Sequence, residues 1–451
     1  MRRITIIGGG ASGTLLAINL LRQQSDDRLE INLVEKRPAV GGGVAFSTEQ
    51  EVHLLNVPAA KMGAFADEID HFHTWLTTRG FNYEHAAFVP RRIFGDYLRE
   101  CLRHANDQRE PNITLNIFDD EAVDIAFGEN KAQVILKGGD ILYSEKIALA
   151  FGNFLPPHPS VADQVFTKSL KYFQDPWSGN VFDKIDMDDT VLIVGTGLSM
   201  VDVTMQLNKL GHRGEIDAIS TRGLLPAVHK LGFTYPSFND ELTDLTRITD
   251  ILKIVRSHAE KASANGSDWR AVIDNLRPIT QSLWLGLPLA EKKYFMQHLS
   301  RYWNVARHRM PPEAAETIDE LRGTGQLQIL KGRLEQIQVD NDQFEVLYRN
   351  FGTEHRLQAD VIVNCTGSES RFDQIDSSLV KGLLKGGRIR PDQLRFGLDA
   401  TPDGKLMNVN GEPSELLYTL GTALKGILWE STAIPEIRVQ AKQLARQLVT
   451  E

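Results

Sequence analysis

Residues 4–7 are four β-branched side chains in a row, Ile-Thr-Ile-Ile, stopped by glycine. So short an apolar run, bounded by a turn residue, predicts a strand buried on both faces. Leu15, Leu16, Ile18, Leu20 and Leu21 then recur at helical spacing within residues 11–23, and residues 30–35 (EINLVE) predict a second strand. Strand, helix and strand in that order imply parallel strands joined by a right-handed crossover. The pattern returns at residues 189–194 (DTVLIV), in a helix over 198–210, and at residues 215–220 (EIDAIS). An α/β chain with two βαβ units of the nucleotide-binding type is expected.

Elsewhere the pattern changes. Residues 112–140 alternate as strands do, and residues 146–150 (KIALA) predict another buried strand ending near Gly152. Residues 238–320 are polar and rich in helix formers, with amphipathic stretches over 242–261 and 289–305, and predict a helical insertion. Strand character resumes over 326–347 and 359–364, and residues 433–450 predict a last helix that starts at the Pro435 turn.

Glycines sit where the first strand meets its helix. Gly8, Gly10 and Gly13 form G-x-G-x-x-G, with Ser12 inside the motif. The first glycine permits the tight turn, the second lets backbone approach a pyrophosphate, and the third lets helix and strand pack closely. The anion then lies on unpaired N–H groups at a helix N-terminus. Glu35 ends the second strand, where a carboxylate can accept both hydroxyls of an adenosine ribose, with Lys36 beside it as a further contact. The second loop keeps Gly195, Gly197 and Ser199 but has Met200 at the third glycine position, which implies looser helix packing. Thr221 and Arg222 end its following strand where the first unit has Glu35. A hydroxyl and a guanidinium suit a 2′-phosphate, which favours NADPH over NADH.

Composition narrows the field. The 451 residues carry 50 Lys+Arg against 59 Asp+Glu, a net charge of −9, and no basic block, so no nucleic-acid partner is expected. Cys101 and Cys365 are the two cysteines, without a CxxC, which leaves no disulfide framework, no Cys-based zinc site and no redox dithiol. No apolar stretch approaches the roughly 18 residues of a membrane span, and the N-terminal apolar run is too short for a signal peptide. A cytoplasmic location is expected. Oligomeric state leaves no mark in the sequence.

Five segments carry a family resemblance: residues 43–47 (GVAFS), 53–62 (HLLNVPAAKM), 195–202 (GTGLSMVD), 307–312 (RHRMPP) and 429–438 (WESTAIPEIR). With them the whole chain resembles the two-dinucleotide-binding flavoproteins, and most closely the bacterial FAD-NAD(P)-binding family. A wider resemblance is to class B flavin monooxygenases, especially the ornithine and lysine N-hydroxylases. Asn56-x4-Lys61 has the spacing of their Gln-x4-Lys pair, while Pro90, Arg92, Phe94 and Tyr97 follow their Pro-x-Arg-x-x-Phe-x-x-Tyr with Phe94 one place early. Gly195, Gly197, Ser199 and Asp202 keep their G-x-G-x-S-x-x-E with a shorter acid. Residues 166–172 lack the Gly and His of the Baeyer–Villiger fingerprint, and the diamino-acid motifs of the N-hydroxylases are absent.

The resemblance implies two Rossmann-like, three-layer ββα-type domains, the second inserted into the first. Gly152 and Gly367 resemble the turns where these flavoproteins cross between domains, and Gly421 falls in a last flavin motif (YTLGTA, residues 418–423). Residues 1–160 and 361–451 would form the FAD domain, 161–237 and 321–360 the NAD(P) domain, and 238–320 the helical insertion near the substrate. The implied activity is an FAD-dependent, NADPH-using oxidoreductase acting on a small substrate. It would be a single-component monooxygenase, with molecular oxygen as co-substrate through a flavin C4a-hydroperoxide. A flavin reductase or dehydrogenase without oxygen insertion, and a non-catalytic flavin sensor, are the alternatives. Asn56, Lys61 and Asp202 are the residues implied for the catalytic pocket, and Trp429 for a flavin contact. Arg307, His308 and Arg309 either grip a carboxylate or phosphate or form a solvated helix end. His71 and His73 have no third ligand nearby in sequence, so no metal is expected.

Overall fold

The computed structural model describes residues 1–24, 27–129 and 131–450. Its larger parallel sheet runs Lys405–Met407, Pro413–Thr419, Lys146–Leu149, Arg2–Ile7, Leu29–Glu35, Ile113–Asp119. Every pair is parallel except Lys405–Met407 with Pro413–Thr419. Alternation along the first strand decides what covers each face. Ile4 and Ile6 pack with Leu15, Tyr97 and Leu444 of the helices Ala11–Leu21, Arg91–Asp107 and Ile434–Thr450. Ile7 packs on the opposite face with Val134 and Leu142, from an antiparallel sheet of Ala122–Phe127, Ala132–Leu136 and Ile141–Ser144.

The second layer system repeats this plan. Its parallel sheet runs Leu327–Lys331, Ile216–Ser220, Val191–Val194, Val361–Asn364, Tyr172–Phe173. Helices Leu198–Lys209 and Pro312–Thr324 cover one face through Met200, Val203, Ile318 and Leu321. The meander Arg333–Asp340, Gln343–Asn350 and Thr353–Ala359 covers the other through Ile337, Phe344 and Val346. The expected α/β architecture of two three-layer units is therefore observed.

Four segments differ from expectation. Strand Val361–Asn364, expected to reopen the first domain, lies between Val191–Val194 and Tyr172–Phe173 in the second sheet. Helix Pro312–Thr324, expected at the end of the insertion, is the crossover into Leu327–Lys331 and belongs to the second core. The amphipathic stretch 242–261 is helical over Ile248–Ala264, because Asp244 takes a left-handed backbone (φ 62°) and delays the start. The stretch 289–305 is two helices, Leu289–His298 and Ser300–Arg307, parted at Leu299.

The insertion has its own core of Phe238, Leu242, Val272, Trp284 and Phe295. It is tied to the C-terminal segment. Arg277 forms a bidentate pair with Glu436 (2.7 and 2.9 Å), and Trp284 Nε1 donates to the Gly426 carbonyl at 3.0 Å.

Candidate functional site: three connected cavities

The first cavity, about 340 Å³, opens over the loop Gly8–Gly13. Gly8 takes φ +106°, and a Cβ there would collide with the Ala150 carbonyl of the neighbouring strand. At Gly13 a Cβ would collide with the Gly8 carbonyl, so both positions are fixed by the protein's own packing. Gly10 differs: a Cβ would touch only Gly43, at 3.3 Å, and otherwise point into the cavity. Gly10 caps helix Ala11–Leu21 in extended conformation with no side chain on the free amides, which leaves the N-terminus open for an anion. Glu35 lines the same cavity but is already held, Oε2 by the Gly9 N–H (2.7 Å) and Oε1 by the Arg37 N–H (2.9 Å). Each oxygen keeps lone pairs for a ribose. Lys36, Gly152 and Asn56 line this cavity too, and Lys36 pairs with Glu121 at 3.2 Å. Gly421 is not on its wall; a Cβ there would meet Ser12 Oγ at 2.7 Å, and Thr422 is the lining residue.

Arg92 is not in the cavity. It faces solvent and pairs with Glu51 at 3.5 Å, because successive helical residues point about 100° apart and its predecessor takes the inward direction. Arg91 is that predecessor. Its Nε donates to the Leu54 carbonyl (2.9 Å) and its Nη2 reaches Asp202 Oδ2 (2.8 Å) on helix Leu198–Lys209. Asp202 is buried and lines none of the three cavities, so it acts on the site through Arg91, not at it. Burial pushes its carboxyl up to about 6 against the pull of Arg91. Trp177 lies 5.3 Å from the Arg91 guanidinium and edge-on to His53, which burial and then Arg91 push down to about 4.

The third cavity, about 710 Å³, opens over the second loop. Gly195 repeats Gly8, with φ +115° and a Cβ that would collide with the Cys365 carbonyl. Gly197 repeats Gly10, with no heavy atom within 4 Å of an added Cβ. Met200 is fully buried at the position matching Gly13, so this helix accommodates a side chain where the first cannot. Ser199, Thr221, Arg222 and Gly367 line the cavity, joined by Arg301 and Arg333. Among the described residues no carboxylate lines it.

Between these lies a second cavity of about 540 Å³. Asn56, Val57, Thr432 and Ala433 line both it and the first; Asn304 and His308 line both it and the third. Lys61 lies on its wall, exposed. His229 Nε2 bonds the Asn56 carbonyl at 2.9 Å, across the two layer systems. The segment 307–309 is no solvated helix end. Arg307 pairs with Glu430 (3.0 Å), Arg309 is 2 % exposed and bidentate to Asp274, and His308 is exposed on the wall that the second and third cavities share. His308 is pushed down to about 4 by desolvation and then by Arg307, Lys425 and Arg277. Trp429 lines this second cavity and not the first, with its ring against Trp284, Phe295 and Phe396. Its backbone (φ 62°, ψ −70°) forms a γ-turn closed by the Glu430 N–H on the Leu428 carbonyl, 2.8 Å.

Away from the cavities, His71 bonds the Tyr97 hydroxyl (2.8 Å), while His73 stacks on His85 at 3.7 Å with Asp70 close by. The neighbours of His73 thus come from beyond the helical segment. No described helix is long and apolar enough to cross a membrane.

Residues 5–154 match the FAD-NAD(P)-binding family. That match spans about a third of the chain. The uncharacterized protein YdhS of Escherichia coli is 26 % identical over 218 residues, 46 % of this chain and 39 % of YdhS, so the match spans under half of that relative. Among solved structures, an ornithine N-hydroxylase from Kutzneria is similar with a TM-score of 0.66 at 14 % identity, over 99 % of this chain and 98 % of that one. That enzyme's structure is with reduced FAD, NADP+ and L-ornithine. The L-lysine 6-monooxygenase of Pseudomonas syringae gives 0.66 at 15 % identity, over 100 % and 99 %. The FAD-bound cadaverine monooxygenase of Erwinia amylovora gives 0.66 at 13 %, over 99 % and 94 %. The chain has the two-dinucleotide-binding flavoprotein fold.

Sequence reasoning missed Arg91, Arg301, Arg333 and Lys425. The alternation of a helix face could have separated Arg91 from Arg92 once Phe94, Tyr97 and Leu98 were set inward. The other three are brought to the cavities by contacts that no local spacing encodes.

Proposed function

We propose that this chain is an FAD- and NADPH-dependent oxidoreductase, working as a single-component monooxygenase on a small substrate. The observation that carries the reading is the row of three cavities. Two end in a glycine loop with room for a phosphate, and the middle one shares a wall with each. When bound, the flavin supplies hydride acceptance from NADPH and activation of oxygen.

The chain's own residues would bind, orient and shield. Gly10 and the uncapped helix behind it suit the FAD pyrophosphate, and Glu35 its ribose. Gly197, with Arg222, Arg301 and Arg333 around an acid-free cavity, suits NADPH and its 2′-phosphate. Asn56 and Lys61 are the polar groups from the Asn-x4-Lys segment on the middle cavity. The Arg91–Asp202 pair ties helix Arg91–Asp107 of the first layer system to helix Leu198–Lys209 of the second. Cys101 and Cys365 are both buried and free, in different cores, so a dithiol route is absent among the described residues.

The test is spectroscopic. The purified full chain should retain yellow FAD, bleach anaerobically with NADPH, and on readmission of oxygen consume NADPH faster when a true substrate is present, with oxygenated product. Bleaching without oxygenated product from any substrate that stimulates turnover would leave a reductase. A chain that neither retains FAD nor is reduced by NADPH overturns the proposal.

A further inference from the structure

The middle cavity has an unbalanced wall. Its carboxylates are Asp274, Glu430 and Glu436, and each is engaged by an arginine. Arg309 holds Asp274 (2.9 and 3.0 Å), Arg307 holds Glu430 (3.0 Å) and Arg277 holds Glu436 (2.7 and 2.9 Å). Lys61, Lys425 and Arg438 line the same cavity with no carboxylate partner among the described residues. Arg438 spends Nη1 on the carbonyls of Lys61 and Gly63, while its buried Nε has no partner. Lys425 lies with its ammonium 4.9 Å from the centre of the Phe396 ring, and burial lowers its pKa. On the same wall Arg307, Lys425 and Arg277 add to one another in lowering the pKa of His308.

A buried cation without a counter-ion is costly unless something supplies the charge. A cationic guest would meet the reverse situation: every wall carboxylate is already taken, and three positive groups face it. We infer that the middle cavity accepts an anionic substrate, a carboxylate or phosphate ester of modest size, with Lys425 as the residue that takes its charge. This sets the chain apart from the ornithine, lysine and cadaverine monooxygenases that share its fold, whose substrates carry amines. The inference rests on the reading of this cavity as the substrate site. The shared chemistry, an anion on Lys425, could also be a phosphate of NADPH, and the experiment separates the two.

Glutarate and 1,5-diaminopentane are probes of the same length and opposite charge. Each is titrated calorimetrically into the full chain, with and without FAD and with and without NADP+, so that binding is read independently of flavin chemistry. Glutarate should bind and diaminopentane should not. Lys425→Met should weaken glutarate roughly tenfold or more, Lys425→Arg should restore much of it, and the exposed Lys385→Met should leave it unchanged. Competition between NADP+ and glutarate would assign Lys425 to the coenzyme phosphate and overturn the substrate assignment. So would binding of diaminopentane in preference to glutarate, absence of any glutarate binding, or a Lys425→Met variant that binds glutarate as well as the parent. If the parent retains no FAD yet glutarate binds at Lys425, the oxidoreductase reading fails and the anion site stands.

Discussion

Gly195 and Gly197 are two residues apart in one loop, yet the same added methyl group should do opposite things to them. Gly197 has φ −87° and ψ −165°, extended backbone that any residue adopts, and open space where its Cβ would go. Alanine is a poorer N-cap than glycine by a few tenths to about 1 kcal/mol. Against that, it lowers unfolded-chain entropy by about 0.4–1 kcal/mol. The two nearly cancel, so Gly197→Ala should melt within about 2 °C of the parent. The methyl group instead occupies the space a pyrophosphate needs. Losing two amide-to-phosphate bonds at about 1.5–3 kcal/mol each removes roughly 3 kcal/mol or more, a hundredfold or greater rise in the Kd for NADPH. Gly195→Ala meets φ +115° and the Cys365 carbonyl, so it should lose at least about 2 kcal/mol of stability before any ligand is considered. Thermal unfolding and NADPH titration on the two variants read both quantities. A Gly197→Ala protein that binds NADPH like the parent would refute the assignment of the loop, and a Gly195→Ala protein of undiminished stability would refute the packing argument.

Asp202→Ala strands the Arg91 charge in a buried site and should cost on the order of 3–5 kcal/mol in urea unfolding; a loss below about 1 kcal/mol would show that the pair is unimportant. Arg222→Ala should raise the KM for NADPH by about tenfold and leave NADH unchanged, and an equal rise for both would place the 2′-phosphate elsewhere. His308 has a folded pKa near 4, below its ordinary 6.5, so the unfolded chain takes up the proton first and the stability due to the neutral ring is lost as pH falls from about 6.5 toward 4. His308→Gln should therefore lose less melting temperature than the parent between those two pH values; parallel curves would contradict the lowered pKa of the ring.

What the sequence disclosed was local. Strand, glycine turn, helix and strand lie within 35 residues, and hydrophobic periodicity suffices to place them, as it does for Leu198–Lys209 and its flanking strands. What it hid was pairing at a distance. Val361–Asn364 is equally apolar in either sheet, and only its register against Val191–Val194 assigns it to the second. The RHR segment looks solvated until Glu430 and Asp274, 123 and 35 residues away, arrive to neutralise it. Pro312 is as good a start for a crossover helix as for an insertion helix, and the alanines that settle it face a core built from other segments.

The order of strands in the larger sheet has a consequence for how the chain is made. Pro413–Thr419 is the neighbour of Lys146–Leu149, joined also by the Thr419 hydroxyl on the Leu149 carbonyl, 270 residues apart in sequence. At roughly 5–20 residues per second on the ribosome, the edge of Lys146–Leu149 waits on the order of 15 to 55 seconds for its partner. An unpaired apolar edge is a site of wrong pairing. The second layer system, whose strands all lie between residues 172 and 364, can close during that interval, so its folding precedes completion of the first, and the half-built sheet is the intermediate most in need of protection from aggregation.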